Sequence, residues 1–378
     1  MINYISSLFK DKQKIFLANT NPAVENLRRK VTAEHAEFVT ITKFLSKDVS
    51  NDCDILCLDE CSTISNRDMV RVLQRAQCKL LVLVGDIYQI ESILFGNWFN
   101  IAYKVMPKDS VAELTRPHRT TVQGLIEVWN KVREITEDRL EFITRNGLSS
   151  TLDESIFSRT EEDEIVLCLN YDGIYGINNI NKFLQSNNVN PSINWGVLSY
   201  KVGDPVLFNE SNRFAPLVYN NLKGKILQIE EEEDCIYFTI EVYTVLNELD
   251  VIGFDLELKE SVTDETSVIR FKVGRGGDGN DDNDNVENVV PFQVAYAISI
   301  HKAQGLEYES VKVVITSEIE EMVSHNIFYT AITRAKSKLK IYWSPETEKR
   351  ILENMKVQFN DKDYQLFKAK YKEALLKS

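Results

Sequence analysis

Asp54-Ile55-Leu56-Cys57-Leu58-Asp59-Glu60 and Lys79-Leu80-Leu81-Val82-Leu83-Val84-Gly85-Asp86-Ile87-Tyr88-Gln89 are the stretches that decide how this chain folds. Each is a short, nearly continuous apolar run that ends in acid. Such runs read as strands covered on both faces, the kind that build parallel sheets. A helical pattern over residues 67–77 links the two, so the unit is strand, helix, strand. Upstream, Lys14-Ile15-Phe16-Leu17-Ala18 reads as a further strand and residues 21–31 as a helix. The expectation is an α/β fold with crossover helices and a parallel sheet.

A second α/β region is predicted from residue 109, with a long helix at 121–136, a strand at 164–169 and a helix near 177–185. From residue 202 to 273 the apolar period changes to two. Pro205-Val206-Leu207-Phe208, Lys225-Ile226-Leu227-Gln228-Ile229, Ile236-Tyr237-Phe238-Thr239-Ile240 and Val268-Ile269-Arg270-Phe271 then read as strands of a small antiparallel domain. Residues 274–285 are rich in Gly, Asp and Asn with no apolar anchor, which predicts a mobile spacer. Asp278, Asp281, Asp282 and Asp284 would repel phosphate, so its glycines are not a phosphate cradle. The α/β pattern then resumes, with a helix expected at 293–302, a strand at 311–315, a helix at 322–333 and a strand at 339–342. The domain plan is a partial first α/β domain (1–108), a second in two segments (109–200 and 289–350), an inserted β domain (201–273), the acidic loop (274–288) and a helical tail (351–378).

The net charge of −13 excludes a basic face spread over the whole protein, so any nucleic-acid site must be a local groove. No apolar run approaches the ~18 residues of a membrane span, so no membrane partner is expected. The first ten residues lack a basic segment followed by an apolar core and do not read as a signal peptide. Six cysteines in 378 residues make no disulfide framework, which points to a reducing, cytoplasmic location. Cys53, Cys57 and Cys61 recur every four residues. Alternating strand side chains would not converge them on one ion, so they read as buried structural thiols.

The chemistry concentrates at strand ends, where parallel sheets place their ligands. An acid such as Asp59 can hold Mg²⁺, and its neighbour Glu60 can polarise an attacking water. An Asp-Glu pair at a strand end is also an ordinary solvated turn. Gln89, just beyond the next strand, carries an uncharged amide able to bond a terminal phosphate or its attacking water. Arg334 ends the predicted helix at 322–333. It can serve as an arginine finger or simply complement the negative end of that helix. His118, Trp129 and Trp195 fit either stacking on bases or core packing, and none is assigned.

In order along the chain, these segments resemble the motifs of superfamily 1 helicases, closest to the RecD-like branch with a UvrD-like C-terminal half. Thr20-Asn21-Pro22-Ala23 resembles motif Ia, and Val39-Thr40-Ile41-Thr42-Lys43-Phe44-Leu45 the DNA-contacting segment after it. Asp59-Glu60 matches motif II, Gly85-Asp86-x-x-Gln89 motif III, and Leu114-Thr115-Arg116-Pro117-His118-Arg119 motif IV. His301-Lys302-x-Gln304-Gly305-x-Glu307 matches motif V, and Tyr329-Thr330-Ala331-Ile332-Thr333-Arg334-Ala335 motif VI. The resemblance implies tandem RecA-like P-loop NTPase domains, the first incomplete, with an SH3-like β-barrel inserted in the second. Gly203-Asp204-Pro205-Val206 and Asn221-Leu222-Lys223-Gly224-Lys225-Ile226 carry the likeness to that barrel. It further implies ATP and Mg²⁺ as cofactors, with Asp59 at the metal and Glu60, Gln89 and Arg334 as catalytic groups. Asp86, Arg119, Gly305 and Glu307 would contact the nucleotide. Thr20, Asn21, Thr40, Thr42, His301 and Lys302 would contact single-stranded DNA, with RNA not excluded and 5′-to-3′ travel implied.

Three features depart from the family pattern. Thr42 stands where the family often has His, and Asn221-Leu222-Lys223-Gly224 is looser than the usual Asn-Gly turn. The third matters most: G-x-x-x-x-G-K-[ST], the phosphate-gripping P-loop, occurs nowhere in the 378 residues. The chain is therefore expected to begin just after that loop, which a missing segment or a partner would supply. The expected function is an ATP-dependent DNA helicase or translocase motor that is inactive as an isolated chain. The rival is a helicase-like remnant that binds nucleic acid or a partner protein without hydrolysing ATP.

Overall fold

The protein is described here by a computed structural model covering residues 2–46, 51–90, 97–114, 119–209, 213–215, 217–261, 263–275, 288–356 and 361–377. Most of the acidic stretch, and His118 with it, lies outside the described residues. In chain order the first elements are α1 (Ile2–Leu8), β1 (Lys14–Ala18), α2 (Asn21–Lys30), β2 (Ala36–Thr40), α3 (Ile41–Leu45), β3 (Asp52–Leu58), α4 (Asn66–Arg75) and β4 (Gln77–Leu83). The four strands form a parallel sheet in the order β2-β1-β3-β4. Strand β1 is buried at every position, as its uninterrupted apolar run requires. Ile15, Leu17, Leu56 and Leu58 pack on one face with Phe44, Met69 and Val72. Phe16, Ala18 and Cys57 pack on the other with Val24 and Leu27. The register pairs Leu17 with Leu58 and Leu58 with Leu83, so the segments carrying Asp59-Glu60 and Gly85-Asp86 leave neighbouring strands at the same edge.

The chain continues through α5 (Trp98–Val105), α6 (Gln123–Arg133), α7 (Arg139–Arg145), β5 (Ser149–Ser150), β6 (Glu164–Cys168), α8 (Ile177–Ser186), β7 (Ser192–Trp195), β8 (Leu198–Lys201), β9 (Pro205–Phe208), β10 (Lys223–Glu231) and β11 (Cys235–Val242). After these come β12 (Glu257–Lys259), β13 (Ser267–Gly274), β14 (Phe292–Val294), β15 (Ala297–Ser299), β16 (Tyr308–Val314), α9 (His325–Ile332), β17 (Ala335–Tyr342), α10 (Pro345–Asn354) and α11 (Asp361–Lys377). Two compact units result. Unit 1 takes Met1–Gly147, Glu320–Ser337 and Glu348–Ser378, and unit 2 takes Leu148–Ile319 and Lys338–Thr347.

Unit 2 holds a second sheet of order β15-β6-β16-β17-β5 and a six-stranded antiparallel sheet of order β12-β13-β11-β10-β9-β14. In the first of these, β15 and β16 both run parallel to β6. The antiparallel sheet closes over an aromatic core in which Phe208, Phe238, Phe271 and Phe292 meet ring to ring. Asn221, at φ +66, makes the left-handed turn that leads into β10, a conformation Asn tolerates better than most residues. The helix expected at 293–302 is not formed. Val294 pairs with Val206 of β9, and Ala297 with Val166 of β6, so both halves of the stretch are strand. Partners on two sheets outweigh a local helical pattern, because short apolar runs fit either element and tertiary pairing decides.

Among the described residues no helix is long and apolar enough to cross a membrane. Trp129 and Trp195 are core residues, 6% and 8% exposed.

Candidate functional site

Within unit 1 the chain turns sharply after β3. Glu60 adopts a left-handed conformation, φ 52 and ψ 40, at a cost of about 1–2 kcal/mol for a residue with a Cβ. The turn brings the Cys61 N–H to the Val84 carbonyl at 2.9 Å, which ties the exits of β3 and β4 together. Gly85 is small because it must be. A Cβ there would lie 2.8 Å from Phe99 Cε1 and 3.0 Å from the Cys61 nitrogen.

Burial pushes the Glu60 carboxyl above the usual range, and the neighbouring Asp59 charge adds to this, while Arg334 and Arg119 pull it down. Burial likewise raises Asp59, against a hydrogen bond from the Glu60 backbone and the attraction of Lys30. Asp86, also felt by Glu60, accepts from the Tyr88 N–H at 3.0 Å. Motif II, Asp86, Arg119 and Arg334 are therefore gathered in one compact unit.

Helix α9 completes this cluster. Arg334 is 1% exposed; its Nε donates to the Thr330 carbonyl at 2.9 Å and its Nη2 to Thr333 Oγ1 at 3.2 Å. Arg119 Nη1 donates to the Thr333 carbonyl. Arg334 thus does bond the last turn of its own helix, and its charge also reaches the half-buried Glu60. Helix α9 further holds the segment that follows β4. Asn326 Nδ2 donates to the Gln89 carbonyl at 3.0 Å, and the Ile90 N–H donates to Thr330 Oγ1 at 3.0 Å. Tyr88 sits edge-on to His325 and Tyr329, with the Arg133 guanidinium 5.0 Å from its ring. Burial and the nearby Asp86 push the Tyr329 hydroxyl up. Trp129 Nε1 donates to the Ile332 carbonyl at 3.0 Å, seating α9 on α6.

Asn326, Tyr329 and Thr330 are the residues that sequence reasoning missed as supports. Tyr329 and Thr330 stood inside a quoted motif without a role, and nothing local marks Asn326. Gln89 Oε1 is buried with no hydrogen-bond partner among the described residues. A buried acceptor left open costs about 1–3 kcal/mol, so it marks a place where a donor is expected.

At the same edge of the sheet, Thr20 and Thr40 serve as N-caps. Thr20 Oγ1 accepts from the Ala23 N–H at 3.4 Å and Thr40 Oγ1 from the Lys43 N–H at 3.2 Å. Asn21 and Thr42 are exposed. In unit 2, His301 is exposed, while Lys302 Nζ donates to Gln293 Oε1 at 2.8 Å and burial lowers its pKa. Gly305 takes φ +81, which explains Gly at that position, and the Glu307 carbonyl accepts from Lys223 Nζ at 3.2 Å.

Residues 294–342 match the UvrD-like helicase C-terminal domain family, and residues 6–153 match an AAA domain family. The chain is 22% identical over 336 residues to the RecBCD enzyme subunit RecD of Mycolicibacterium smegmatis, covering 81% of this chain and 52% of that protein. It is 22% identical over 361 residues to RecD of Buchnera aphidicola subsp. Schizaphis graminum, covering 92% and 52%. The chain spans between 29% and 61% of the length of the curated relatives it matches. Its fold is similar to that of Pif1 helicase from Candida albicans, with TM-score 0.52, 17% identity and coverage of 92% and 90%. It is similar also to Pif1 helicase from Bacteroides in complex with ADP-AlF3 and ssDNA, with TM-score 0.50, 15% identity and coverage of 98% and 96%. The parallel α/β sheets thus match the RecA-like helicase domains of Pif1. These likenesses together support a resemblance to superfamily 1 helicases of the RecD-like branch.

The raised Glu60 carboxyl has a measurable consequence. The folded state holds a proton that the unfolded chain releases at the ordinary carboxylate pKa. Stability is therefore full below that pKa and lost as pH rises through the raised folded value. Glu60→Gln removes that loss, so at pH 8 the variant should melt a few degrees higher than the parent. The gain should shrink as pH falls towards the carboxylate range. A variant that melts lower at pH 8 would show that attraction from Arg334 and Arg119 outweighs the cost of burial.

Proposed function

We propose that this chain carries the motor of an ATP-dependent DNA helicase or translocase, coupling ATP hydrolysis to movement on single-stranded DNA. The observation that carries this reading is Glu60: half-buried beside Asp59, within electrostatic reach of Arg334 and Arg119, and placed where β3 leaves the sheet. Two neighbouring carboxyls that burial holds towards their neutral forms suit a site completed by a divalent cation, and the open Gln89 acceptor suits a donor arriving with substrate. Asp59 would hold Mg²⁺, which when bound neutralises phosphate charge. Glu60 would take a proton from the attacking water, and Gln89 would orient that water. Arg334 and Arg119 would face the charge that develops on the γ-phosphate. Asp86 would be held in place by the Tyr88 N–H.

Thr20, Asn21, Thr40 and Thr42 in unit 1, and His301 and Lys302 in unit 2, would contact the DNA strand, mostly at phosphates. Gly305 and Glu307 keep the nucleotide-contacting role that the resemblance implies. The antiparallel sheet is assigned as the SH3-like insertion, and the setting is cytoplasmic. The phosphate-gripping loop would come from a further segment or a partner. The absence of that motif from the 378 residues favours one alternative, a nucleic-acid-binding or partner-binding module that does not turn over ATP.

The test is a version of this chain joined to a G-x-x-x-x-G-K-[ST] segment, assayed for hydrolysis stimulated by single-stranded DNA and for strand separation. Stimulated turnover is expected, and Glu60→Gln should lower it at least ~10²-fold while ATP binding persists. Turnover left near the parent's by Glu60→Gln would remove Glu60 from the mechanism. No turnover in the joined chain would favour the binding module.

A further inference from the structure

In unit 2 a cavity of about 460 Å³ opens between the starts of β6 and β16 on one side and strands β9 and β10 on the other. That volume suits a small planar ligand, since such sites span about 300–1,000 Å³. Glu164 and Tyr308, the first residues of β6 and β16, line it, so it lies at the amino edge of the parallel sheet. His301 and Lys302 follow the carboxyl end of β15, which runs parallel to β6. The cavity is therefore at the opposite end of that sheet from the motif V turn.

Its lining identifies the ligand chemistry. The cations Arg159, Lys223 and Lys225 are balanced by Glu162, Asp163 and Glu164. Lys223 Nζ lies 2.6 Å from Asp163 Oδ1, and Lys225 bonds Glu162. Lys223 and Lys225 each have their own carboxylate and Arg159 donates to the Glu162 backbone carbonyl, so a phosphate gains little here. A planar ring gains more. The Arg159 guanidinium is a flat group backed by the Tyr296 ring, 5.2 Å from its centroid. Tyr243 is 40% exposed, with the Lys223 ammonium 5.2 Å from its ring centroid. Rings stack on both kinds of surface. At the same wall Glu162 and Asp163, already bonded by Lys225, Lys223 and the Glu309 N–H, present carboxylate oxygens whose remaining lone pairs accept from an amino group and repel a ring carbonyl.

We propose that this cavity binds a nucleobase bearing an exocyclic amino group, stacked on Tyr243 and Arg159 and held at its edge by Glu162 and Asp163. The base could belong to a nucleic-acid strand or to a free nucleotide. The proposal requires no ATP turnover and stands apart from the unit 1 cluster.

The experiment titrates the 378-residue chain into 2-aminopurine riboside, and separately into an oligo-dT carrying one 2-aminopurine, and reads fluorescence quenching. Saturable quenching is expected, with Tyr243→Leu and Arg159→Ala each weakening it about tenfold or more. Tyr243→Trp, which keeps a stacking surface, should retain it, while Tyr171→Leu, a tyrosine outside the cavity, should behave as the parent. Quenching of the riboside would identify a free nucleotide site, and quenching of the oligonucleotide alone a strand-binding site. Absence of saturable quenching with both probes would overturn the proposal. So would unchanged quenching in Tyr243→Leu and Arg159→Ala proteins whose circular dichroism matches the parent.

Discussion

Arg334→Ala, in a chain joined to a phosphate-binding loop, should lower ATP turnover about 10³-fold, the loss expected of an arginine finger. Two roles compete for this side chain, and magnitudes separate them. A cation on the last turn of a helix contributes about 0.3–1 kcal/mol of stability. A 10³-fold loss of rate corresponds to about 4 kcal/mol of barrier, far beyond any capping effect. The structure shows the capping contact, Nε to the Thr330 carbonyl at 2.9 Å, and also the reason to expect more. Arg334 is 1% exposed and its charge reaches the half-buried Glu60, so its removal leaves that acid with less compensation. Arg334→Lys should recover little, because an ammonium cannot hold the planar fork that bonds two oxygens at once. The measurement pairs steady-state turnover with melting curves on the same variants. Turnover that only tracks the folded fraction, or full recovery by Lys, would leave Arg334 as a helix cap or a simple charge.

The strands of unit 1 were legible because a parallel sheet writes a strong local signal. Lys14-Ile15-Phe16-Leu17-Ala18 is apolar after its first residue and buried throughout, and the acids that follow β3 and β4 mark the expected ligand edge without help from elsewhere. Strand β2 was harder. Ala36-Glu37-Phe38-Val39-Thr40 is half exposed at the end of the sheet and carries a charge in its middle. The stretch at 292–299 misled because its partners, β9 and β6, belong to different sheets, and a single sequence does not reveal which strand an apolar run will meet. The candidate site was legible as separate residues but not as a network. Asn326 matters through one bond to the Gln89 carbonyl, a contact 237 residues away in sequence. Arg119 meets Thr333 across 214 residues, and neither residue carries a local mark of that meeting.

The 378-residue chain by itself should hydrolyse ATP no faster than background, with or without single-stranded DNA. On the proposed reading, the groups gathered around Glu60 would address only the far end of a triphosphate. A P-loop supplies the backbone N–H groups that cradle the phosphates, the Lys that neutralises them and the hydroxyl that orients Mg²⁺. None of the 378 residues stands in that pattern. Positioning reactants contributes about 7–11 kcal/mol to such reactions, so a nucleotide without its main anchor forfeits most of the acceleration even with Asp59, Glu60 and Arg334 in place. Among the described residues strand β4, Gln77–Leu83, stands at the edge of the sheet with Leu80 39% exposed, although runs such as Leu80-Leu81-Val82-Leu83 are usually covered on both faces. An uncovered strand edge of this kind should also make the isolated chain associate, with apparent mass rising with concentration in light scattering. Binding to single-stranded DNA should persist on the proposed reading, because the residues proposed to contact it, Thr20, Asn21, Thr40, Thr42, His301 and Lys302, are all present. The decisive assay places the 378-residue protein beside the P-loop-joined version at equal concentration. DNA-stimulated phosphate release by the shorter protein, abolished by Glu60→Gln, would show that another set of residues grips the triphosphate.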